Sequence, residues 1–169
     1  PYTDFREKNF DGEDFTGFAF TGSNFSNASL EGTNFSNGQL SGTVFHGANL
    51  SYAQLDSSDL TNADLNGAQL QKADLRNANL TSANLSNSNL AGVLLSGANL
   101  TGVKFFNSDL SKVEISQIDF KNALTDGKTT WPEGFDPVGA EMIIVESLKF
   151  GGGGTIAYQH DLDGDWDIS

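Results

Sequence analysis

Residues 64–80 read DLNGAQLQKADLRNANL, and leucine recurs in this stretch at every fifth position. The same spacing continues outward in both directions, so every fifth residue from Phe5 to Phe120 is Phe, Leu or Ile. Neither regular backbone structure has this period, because an α-helix turns every ~3.6 residues and a strand alternates its faces every second residue. A period of five therefore predicts a chain that bends once in each pentapeptide.

The remaining positions of each pentapeptide support a repeated bend. A small residue, mostly Ala or Ser, stands two positions before the large apolar residue and is expected to point inward. Gly or Asn stands two positions after it in seventeen of twenty-four cases. These residues tolerate a positive φ, which a type II turn requires at its third position. The positions on either side of the large residue favour Asn, Asp, Ser and Thr, and they are predicted to be outward polar positions.

The pattern resembles the pentapeptide-repeat family, whose consensus is A-(D/N)-L-x-x. Residues 63–67, 73–77 and 78–82 match that consensus fully, and the resemblance extends over about residues 3–122. It implies an all-β fold: a right-handed quadrilateral parallel β-helix with four pentapeptides per coil, and hence about six coils. Residues i and i+20 then lie in adjacent coils, about 4.8 Å apart.

This arrangement predicts columns of stacked apolar side chains along the solenoid axis. Phe occupies these columns near both ends, and Leu fills the middle. Burial of each such side chain contributes about 1.5–3 kcal/mol. The residues predicted to form the structural core are Phe25, Phe45, Leu50, Leu65, Leu70, Leu75, Leu80 and Leu85.

The two ends of the repeat are predicted to be capped, because a solenoid otherwise exposes unpaired strand edges. The first coil has polar or bulky residues where small ones are usual, and we expect it to cover the core. After Phe120, Asp136 followed by Pro137 predicts the start of a short α-helix. Trp131, Phe135 and Met142 are the predicted cap residues. The segment is similar to the C-terminal cap of cyanobacterial pentapeptide-repeat proteins, with its W-P-x-G-F-D-P-like stretch.

The chain is accordingly divided into three parts. Residues 1–122 form the pentapeptide-repeat β-helix, residues 123–146 form the C-terminal cap with its short helix, and residues 147–169 form a Gly-rich tether and an acidic tail. The tail is expected to pack along the solenoid or onto a neighbouring molecule. An engineered linker and peptide is the alternative interpretation of this last segment.

The alternating acidic residues of the tail are the only candidates for a metal site. Asp161, Asp163 and Asp165 resemble the start of a calcium loop, but glycine stands at position 164 instead of the sixth position of the loop. A solvated acidic tail is the default interpretation. No cofactor is expected.

Catalysis is not expected from this sequence. The chain has no Cys and only two His, and its many Ser residues are explained by the repeat. Apolar residues at outward positions instead suggest a partner-binding patch formed by Tyr52, Leu94 and Phe106. Asp56 and Arg76, twenty residues apart, are predicted to form a surface salt bridge worth less than about 1 kcal/mol.

The function indicated by these features is a non-catalytic protein-interaction scaffold or regulator in a cyanobacterium. A DNA mimic that binds or inhibits DNA gyrase is one alternative, and metal binding through the tail is another. Residues 3–122 hold 13 acidic and 7 basic residues, a net charge of −6, whereas residues 123–169 hold 9 and 2, a net charge of −7. More than half of the charge therefore lies beyond the solenoid, which disfavours the mimic.

The partner is expected to be a protein. The net charge of −13 argues against direct nucleic-acid binding, because the phosphate backbone favours Lys and Arg. No apolar stretch approaches the ~18 residues of a membrane helix, so membrane insertion is not expected. We expect a soluble protein of the cytoplasm or, where a leader has been removed, of the periplasm or thylakoid lumen.

Overall fold

The chain forms a parallel β-helix with four flat faces. The structure, a computed structural model, describes residues 2–149, 155–160 and 166–168, with side chains up to residue 146. Parallel single-residue β-bridges join positions i and i+20 from Asp4 and Asn24 to Asn89 and Asp109. We number the faces first to fourth by their bridge residues in the first coil, which are Asp4, Asn9, Asp14 and Ala19.

Each pentapeptide ends in a tight turn, as the spacing of Gly and Asn predicts. The N–H of Ala73, for example, donates to the carbonyl of Leu70 across one turn at 2.9 Å. The corner residue, two positions after each large apolar residue, has a positive φ at every corner from Glu7 to Asn122 except Lys112. The twenty-residue coil therefore results from four left-handed corner residues.

The Asp or Asn that precedes each large apolar residue helps to build the corner. Its side-chain oxygen accepts a hydrogen bond from the backbone N–H two residues later, as in Asn24 with Ser26 at 2.9 Å and Asp64 with Asn66 at 3.0 Å. The following Ser or Thr hydroxyl often donates to the same oxygen, as Thr61 does to Asp59 at 2.6 Å. This position is an Asx turn, whereas the sequence pattern predicts only an outward polar position.

The core runs along the solenoid axis and is built from stacked columns. The eight residues predicted to form it are all fully buried. On the first face, the rings of Phe5 and Phe25 stack at 4.7 Å between centroids, and those of Phe25 and Phe45 at 5.4 Å. Buried hydroxyls are satisfied by backbone carbonyls, as in the bonds from Thr33 to Phe10 at 2.8 Å and from Thr43 to Phe20 at 2.9 Å.

The first coil covers the core as expected, because the large apolar residues of the second coil beneath it are fully buried: Phe25, Leu30, Phe35 and Leu40. Its own large apolar residues are partly buried in the described structure: Phe5, Phe10, Phe15 and Phe20. Phe18, at a position usually occupied by a small residue, is 54 % exposed. Within the described residues, the first coil is therefore less buried than the coils that follow it.

The expected sixth coil is incomplete. Within the described residues, no bridge continues the third face beyond Leu94 or the fourth face beyond Asn99. Lys112 lacks the positive φ of the other corners, and after this corner the bridges between residues i and i+20 stop on the third and fourth faces. Segments after the repeat continue the first two faces instead, with Leu124 pairing with Lys104 and Thr130 with Asp109.

The predicted C-terminal α-helix is wrong, because the described residues contain no helix. Asp136 does accept a hydrogen bond from the N–H of Val138 at 3.0 Å, as an N-cap residue would. The turn ends at once, because Glu141 takes a left-handed φ of 55°. The bond from Met142 N–H to the Pro137 carbonyl at 3.1 Å then closes a Schellman-type end after a single turn.

An aromatic cluster closes the C-terminal end of the solenoid. The ring of Trp131 lies 5.8 Å from that of Phe105 and 5.3 Å from that of Phe120. Phe135 packs on Trp131 at 4.5 Å, and Met142 is buried beside them. The three predicted cap residues therefore lie together at this end.

Four strands extend the structure beyond the repeat: β1 (Leu124–Thr125), β2 (Ile143–Lys149), β3 (Thr155–His160) and β4 (Trp166–Ile168). They form one sheet in the order β1-β2-β3-β4. β2 pairs parallel with β1, and the other pairs are antiparallel. The expected boundary between cap and tail, at residues 146 and 147, lies inside β2.

None of the described segments is a helix long and apolar enough to cross a membrane.

The left-handed corners predict opposite effects for two serine substitutions. Ser57 has a φ of 58°, a conformation that costs a non-glycine residue roughly 1–2 kcal/mol. Part of the gain from glycine is offset by the entropy of the unfolded chain. We therefore expect Ser57→Gly to raise the free energy of unfolding by about 0.5–1 kcal/mol in urea denaturation.

Ser96→Gly is the matched control, because Ser96 is also exposed and lies outside the positive-φ residues. It should lower the free energy of unfolding by about 0.5–1 kcal/mol. If both variants changed the free energy of unfolding in the same direction, the role of the corner conformation would be contradicted.

Candidate interaction surface

Two large apolar residues interrupt the polar surface of the solenoid between its ends. Among the described side chains, the exposed large apolar residues are Tyr2, Phe18, Tyr52, Leu94 and Val138. Tyr2 and Phe18 belong to the first coil, and Val138 belongs to the C-terminal cap. Only Tyr52 and Leu94 of this group lie in the body of the solenoid, where every other outward position is polar, small or partly covered.

Tyr52 projects from the corner between the second and third faces. Its φ of 60° places an aromatic residue in a conformation that Gly or Asn adopts at most other corners. Tyr52 as a whole residue is 53 % exposed. The ammonium group of Lys72, one coil further along, lies 5.5 Å from the ring centroid, within the range of a cation–π interaction.

Leu94 lies on the third face, two coils above the level of Tyr52. Its bridge partner is Asp74, which in turn bridges Gln54 next to Tyr52. A coil spacing of about 4.8 Å places Leu94 about 10 Å along the axis from Tyr52. Leu94 is 43 % exposed and is the last bridge residue of its face.

An ion pair lies between the two apolar residues. Arg76 donates to both carboxylate oxygens of Asp74, with Nε–Oδ1 at 2.9 Å and Nη2–Oδ2 at 2.5 Å. This hydrogen-bonded guanidinium holds the pKa of Asp74 below its usual range, against the opposing effect of partial burial. The predicted pair of Asp56 with Arg76 is not formed, because Ser36 donates to Asp56 at 2.6 Å and Arg76 binds within its own pentapeptide.

Phe106, the third predicted patch residue, lies elsewhere. It follows Phe105 on the first face and is half-buried. The whole second face separates it from the corner of Tyr52. We therefore define the Tyr52–Leu94 surface, without Phe106, by Tyr52, Gln54, Lys72, Asp74, Arg76 and Leu94.

The metal candidates Asp161, Asp163 and Asp165 lie outside the described residues. Within the described part of the chain, no three His, Asp or Glu side chains are grouped so that they could hold a metal ion.

The ion pair at the centre of the surface gives a pH-dependent prediction. In Arg76→Gln, the pKa of Asp74 is expected to rise toward its usual range, as followed by NMR titration of the carboxyl carbon. Because the folded-state pKa is lowered, the pair stabilises the fold above the usual pKa of Asp, and this contribution is lost as the pH falls through the lowered pKa. The stability difference at neutral pH should stay below about 1 kcal/mol, since the pair is partly exposed.

Asp109 is the internal control for this titration. Its pKa is lowered by the hydroxyl of Ser111 and not by an arginine. It should be unchanged in Arg76→Gln. An unchanged pKa of Asp74 in this variant would contradict the role given to the guanidinium.

Comparison with known proteins places this geometry in a family. The model described as pentapeptide repeats matches the chain in eight copies, which together extend over residues 2–122. A comparison with curated proteins finds no match.

Several solved structures share the fold. A pentapeptide repeat protein from the Arabidopsis thaliana thylakoid lumen is 34 % identical, with 59 % of this chain and 69 % of that chain covered and a TM-score of 0.57. HetL from Nostoc sp. strain PCC 7120, described as involved in heterocyst differentiation regulation, is 31 % identical. The match covers 76 % of this chain and 58 % of HetL, with a TM-score of 0.61. Rfr23 from Cyanothece 51142 is 25 % identical, and the match covers 76 % of this chain and 90 % of Rfr23, with a TM-score of 0.51.

The match to HetL extends over little more than half of that protein's length. Cyanobacterial proteins are among these neighbours, in agreement with the expectation from the cap sequence. The resemblance inferred from the sequence is confirmed, and the chain belongs to the pentapeptide repeat family, whose members fold as right-handed β-helices.

Proposed function

We propose that this protein is a non-catalytic scaffold that binds a protein partner through the Tyr52–Leu94 surface. The observation that supports this proposal is the pair of exposed apolar residues on an otherwise polar solenoid body. Tyrosine and arginine are enriched among the residues that dominate binding energy at protein interfaces. Here a tyrosine, a leucine and a pre-formed Asp74–Arg76 pair lie together on one corner and one face.

The backbone conformation at Tyr52 adds to the argument. The fold imposes a left-handed conformation on nearly every corner, and a bulky side chain at this one is unfavourable and not required by the turn. The cation–π contact with Lys72 offsets part of this cost. A tyrosine has few rotatable bonds and loses little conformational freedom on binding.

A regulatory role in a cyanobacterium fits this proposal. HetL is described as involved in regulating heterocyst differentiation, and it shares the solenoid fold at 31 % identity. The surface of a rigid rod suits regulation by contact, because it presents its binding groups without rearrangement.

The DNA-mimic alternative has less support. The third-face column above Asp14 reads Asn34, Gln54, Asp74 and Leu94, which is not a continuous acidic stripe. The C-terminal end is closed by the aromatic cluster of Trp131 and Phe135. Metal binding through the tail stays a prediction, since Asp161, Asp163 and Asp165 lie outside the described residues.

The proposal predicts a selective loss of binding in the double variant Tyr52→Asn/Leu94→Asn. Asn is favoured at left-handed corners and is common at bridge positions, so the fold should be kept or slightly stabilised. Wild type and variant are used as parallel baits in a cyanobacterial lysate. The expected result is a partner retained by the wild type and lost by the variant, with a melting temperature of the variant equal to or slightly above that of the wild type.

Phe106→Ser is the matched control, because it removes an apolar group on the first face and introduces a residue common at that position. Retention of the partner by the double variant would overturn the assignment to the Tyr52–Leu94 surface. Loss with Phe106→Ser alone would move the binding surface to the first face. Inhibition of DNA supercoiling by the purified wild type would favour the mimic instead.

A further inference from the structure

The backbone hydrogen bonds between neighbouring coils are interrupted after the fifth coil. Between the fourth and fifth coils they are complete on the third and fourth faces, as in the bonds from Leu75 to Leu94 at 2.8 Å and from Leu80 to Asn99 at 3.0 Å. One coil further, the equivalent N–H groups donate to no backbone carbonyl of the described chain: those of Gly92, Leu95, Gly97 and Leu100. We call residues 111–120, which lie beside this interruption, the strap.

The two coils separate gradually and meet again at a defined point. Along the second face, the distance from the N–H nitrogen to the carbonyl oxygen of the next coil increases from 2.7 Å at Leu50 to 2.9 Å at Leu70 and 3.2 Å at Leu90. After the fourth face, Gly102 donates to the carbonyl of Asn122 at 3.0 Å, one residue beyond the partner that the regular spacing gives. The interruption is therefore confined to the third and fourth faces.

The strap keeps the form of a solenoid coil although its backbone is not paired with the fifth coil. The N–H of Ser116 donates to the side chain of Glu114 at 3.1 Å, as at the other corners. Four apolar residues pack the strap against the core: Val113 and Phe120, which are buried, and Ile115 and Ile118, which are partly buried. Side-chain packing, and not hydrogen bonding, therefore holds the strap on the fifth coil.

The inward residues of the third face explain why the coils separate there. Val113 lies one coil from Val93, and no other neighbours in the inward columns of residues 3–123 are both β-branched. Such side chains have few rotamers, and excess volume in a packed core shifts the backbone. A single valine is tolerated, because Val103 lies between Ala83 and Ala123 and its carbonyl accepts a bond from the next coil at 2.7 Å.

The fourth face shows the same effect and contains its own comparison. Phe18 occupies an inward position, yet the N–H of Gln39 donates to its carbonyl at 2.9 Å. The neighbour of Phe18 in the second coil is Gly38, which leaves space for the ring. Ile118 occupies the equivalent position in the sixth coil, but its neighbour is Ala98. The backbone of the strap thus suits the fifth coil, whereas its inward side chains keep it from pairing.

We propose that the strap is a conformational switch with two registers. In the parted register, which is the one described here, the N–H groups of the fifth coil are unpaired at the interruption. In the closed register, Glu114 pairs with Leu94 and Asp119 pairs with Asn99, so that the sixth coil is complete. Unpaired backbone groups favour closing, and the crowded inward side chains oppose it. Two opposing contributions of this kind give two populated states.

The register of the strap changes the Tyr52–Leu94 surface. Leu94 is the last bridge residue of the third face, and Asp74 lies on its other side. In the parted register an unpaired edge lies beside Leu94. In the closed register Glu114 takes this place, and an acidic residue then flanks Leu94 on both sides. This inference goes beyond the proposed function, and its test needs no partner.

Amide hydrogen exchange of the full chain, followed by NMR, tests the parted register. The protection factors of Leu95 and Gly97 should be at least about tenfold lower than those of Leu75 and Asn77, their equivalents in the fourth coil. Exchange between the two registers should appear as relaxation dispersion at Leu95 on the microsecond-to-millisecond timescale.

The double variant Val113→Ala/Ile118→Ala tests the cause of the separation. With small inward residues the strap should close, and the protection factors of Leu95 and Gly97 should rise at least about tenfold. A scalar coupling across the new hydrogen bond should connect the N–H of Leu95 with the carbonyl of Glu114. Val103→Ala is the matched control, because it removes the same buried volume at an inward position whose coils are already paired. It should leave the protection of Leu95 and Gly97 unchanged.

A disulfide can hold the closed register in the wild-type core. Ser96 and Ser116 are exposed, and the chain has no cysteine. In the closed register the two residues lie about 4.8 Å apart, a separation that a disulfide spans. Ser96→Cys/Ser116→Cys should form this bond under mild oxidation and gain protection at Leu95 and Gly97. Reduction should reverse the gain.

Three results would overturn the proposal. Wild-type protection at Leu95 and Gly97 equal to that of the fourth coil would show that the coils are already paired. Unchanged or lower protection in Val113→Ala/Ile118→Ala would exclude the inward side chains as the cause. Failure of the cysteine pair to oxidise, both in the wild-type core and in the double variant, would exclude the closed register.

Discussion

The structure depends on one backbone conformation, the left-handed φ of the residue that ends each pentapeptide. It turns the chain through a corner, and four corners close a coil of twenty residues. Because every coil has the same length, residues twenty positions apart stack in adjacent coils. The columns of Phe and Leu therefore form without pairing segments that are far apart in the sequence. Where a corner loses this conformation, at Lys112, the third and fourth faces end. The core is therefore a consequence of the corners.

The same corners explain why the outer surface is chemically uniform. The Asp and Asn side chains at bridge positions accept hydrogen bonds from the corner backbone, and many Ser and Thr hydroxyls join them. These polar groups are therefore engaged in holding the turn. A residue that departs from the pattern at an outward position, such as Tyr52 or Leu94, stands out against this background as a surface feature that the fold does not require.

The two ends of the solenoid differ in structure. At the C-terminal end, β1 and Thr130 continue two faces, and Trp131 and Phe135 cover the core. At the N-terminal end of the described chain, the Phe rings of the first coil cover the second coil and are themselves partly buried. Between the two ends, the lateral surface carries the aromatic corner at Tyr52.

The sequence by itself determined the period, the columns and the corner positions, because a pentapeptide repeat is local and each unit carries its own turn residues. It also located Trp131, Phe135 and Met142 at the closing end, and Tyr52 and Leu94 as outward apolar residues. Only the tertiary structure decided the rest. Asp136 and Pro137 signal a helix start, but Glu141 ends the segment after one turn. Arg76 makes its bidentate contact with Asp74 inside its own pentapeptide, while Asp56 accepts a hydrogen bond from Ser36. The separation of Phe106 from Tyr52, in contrast, already follows from a twenty-residue coil, which assigns the two residues to different corners. The incomplete sixth coil does not follow from the repeat, because segments after it take over the first two faces.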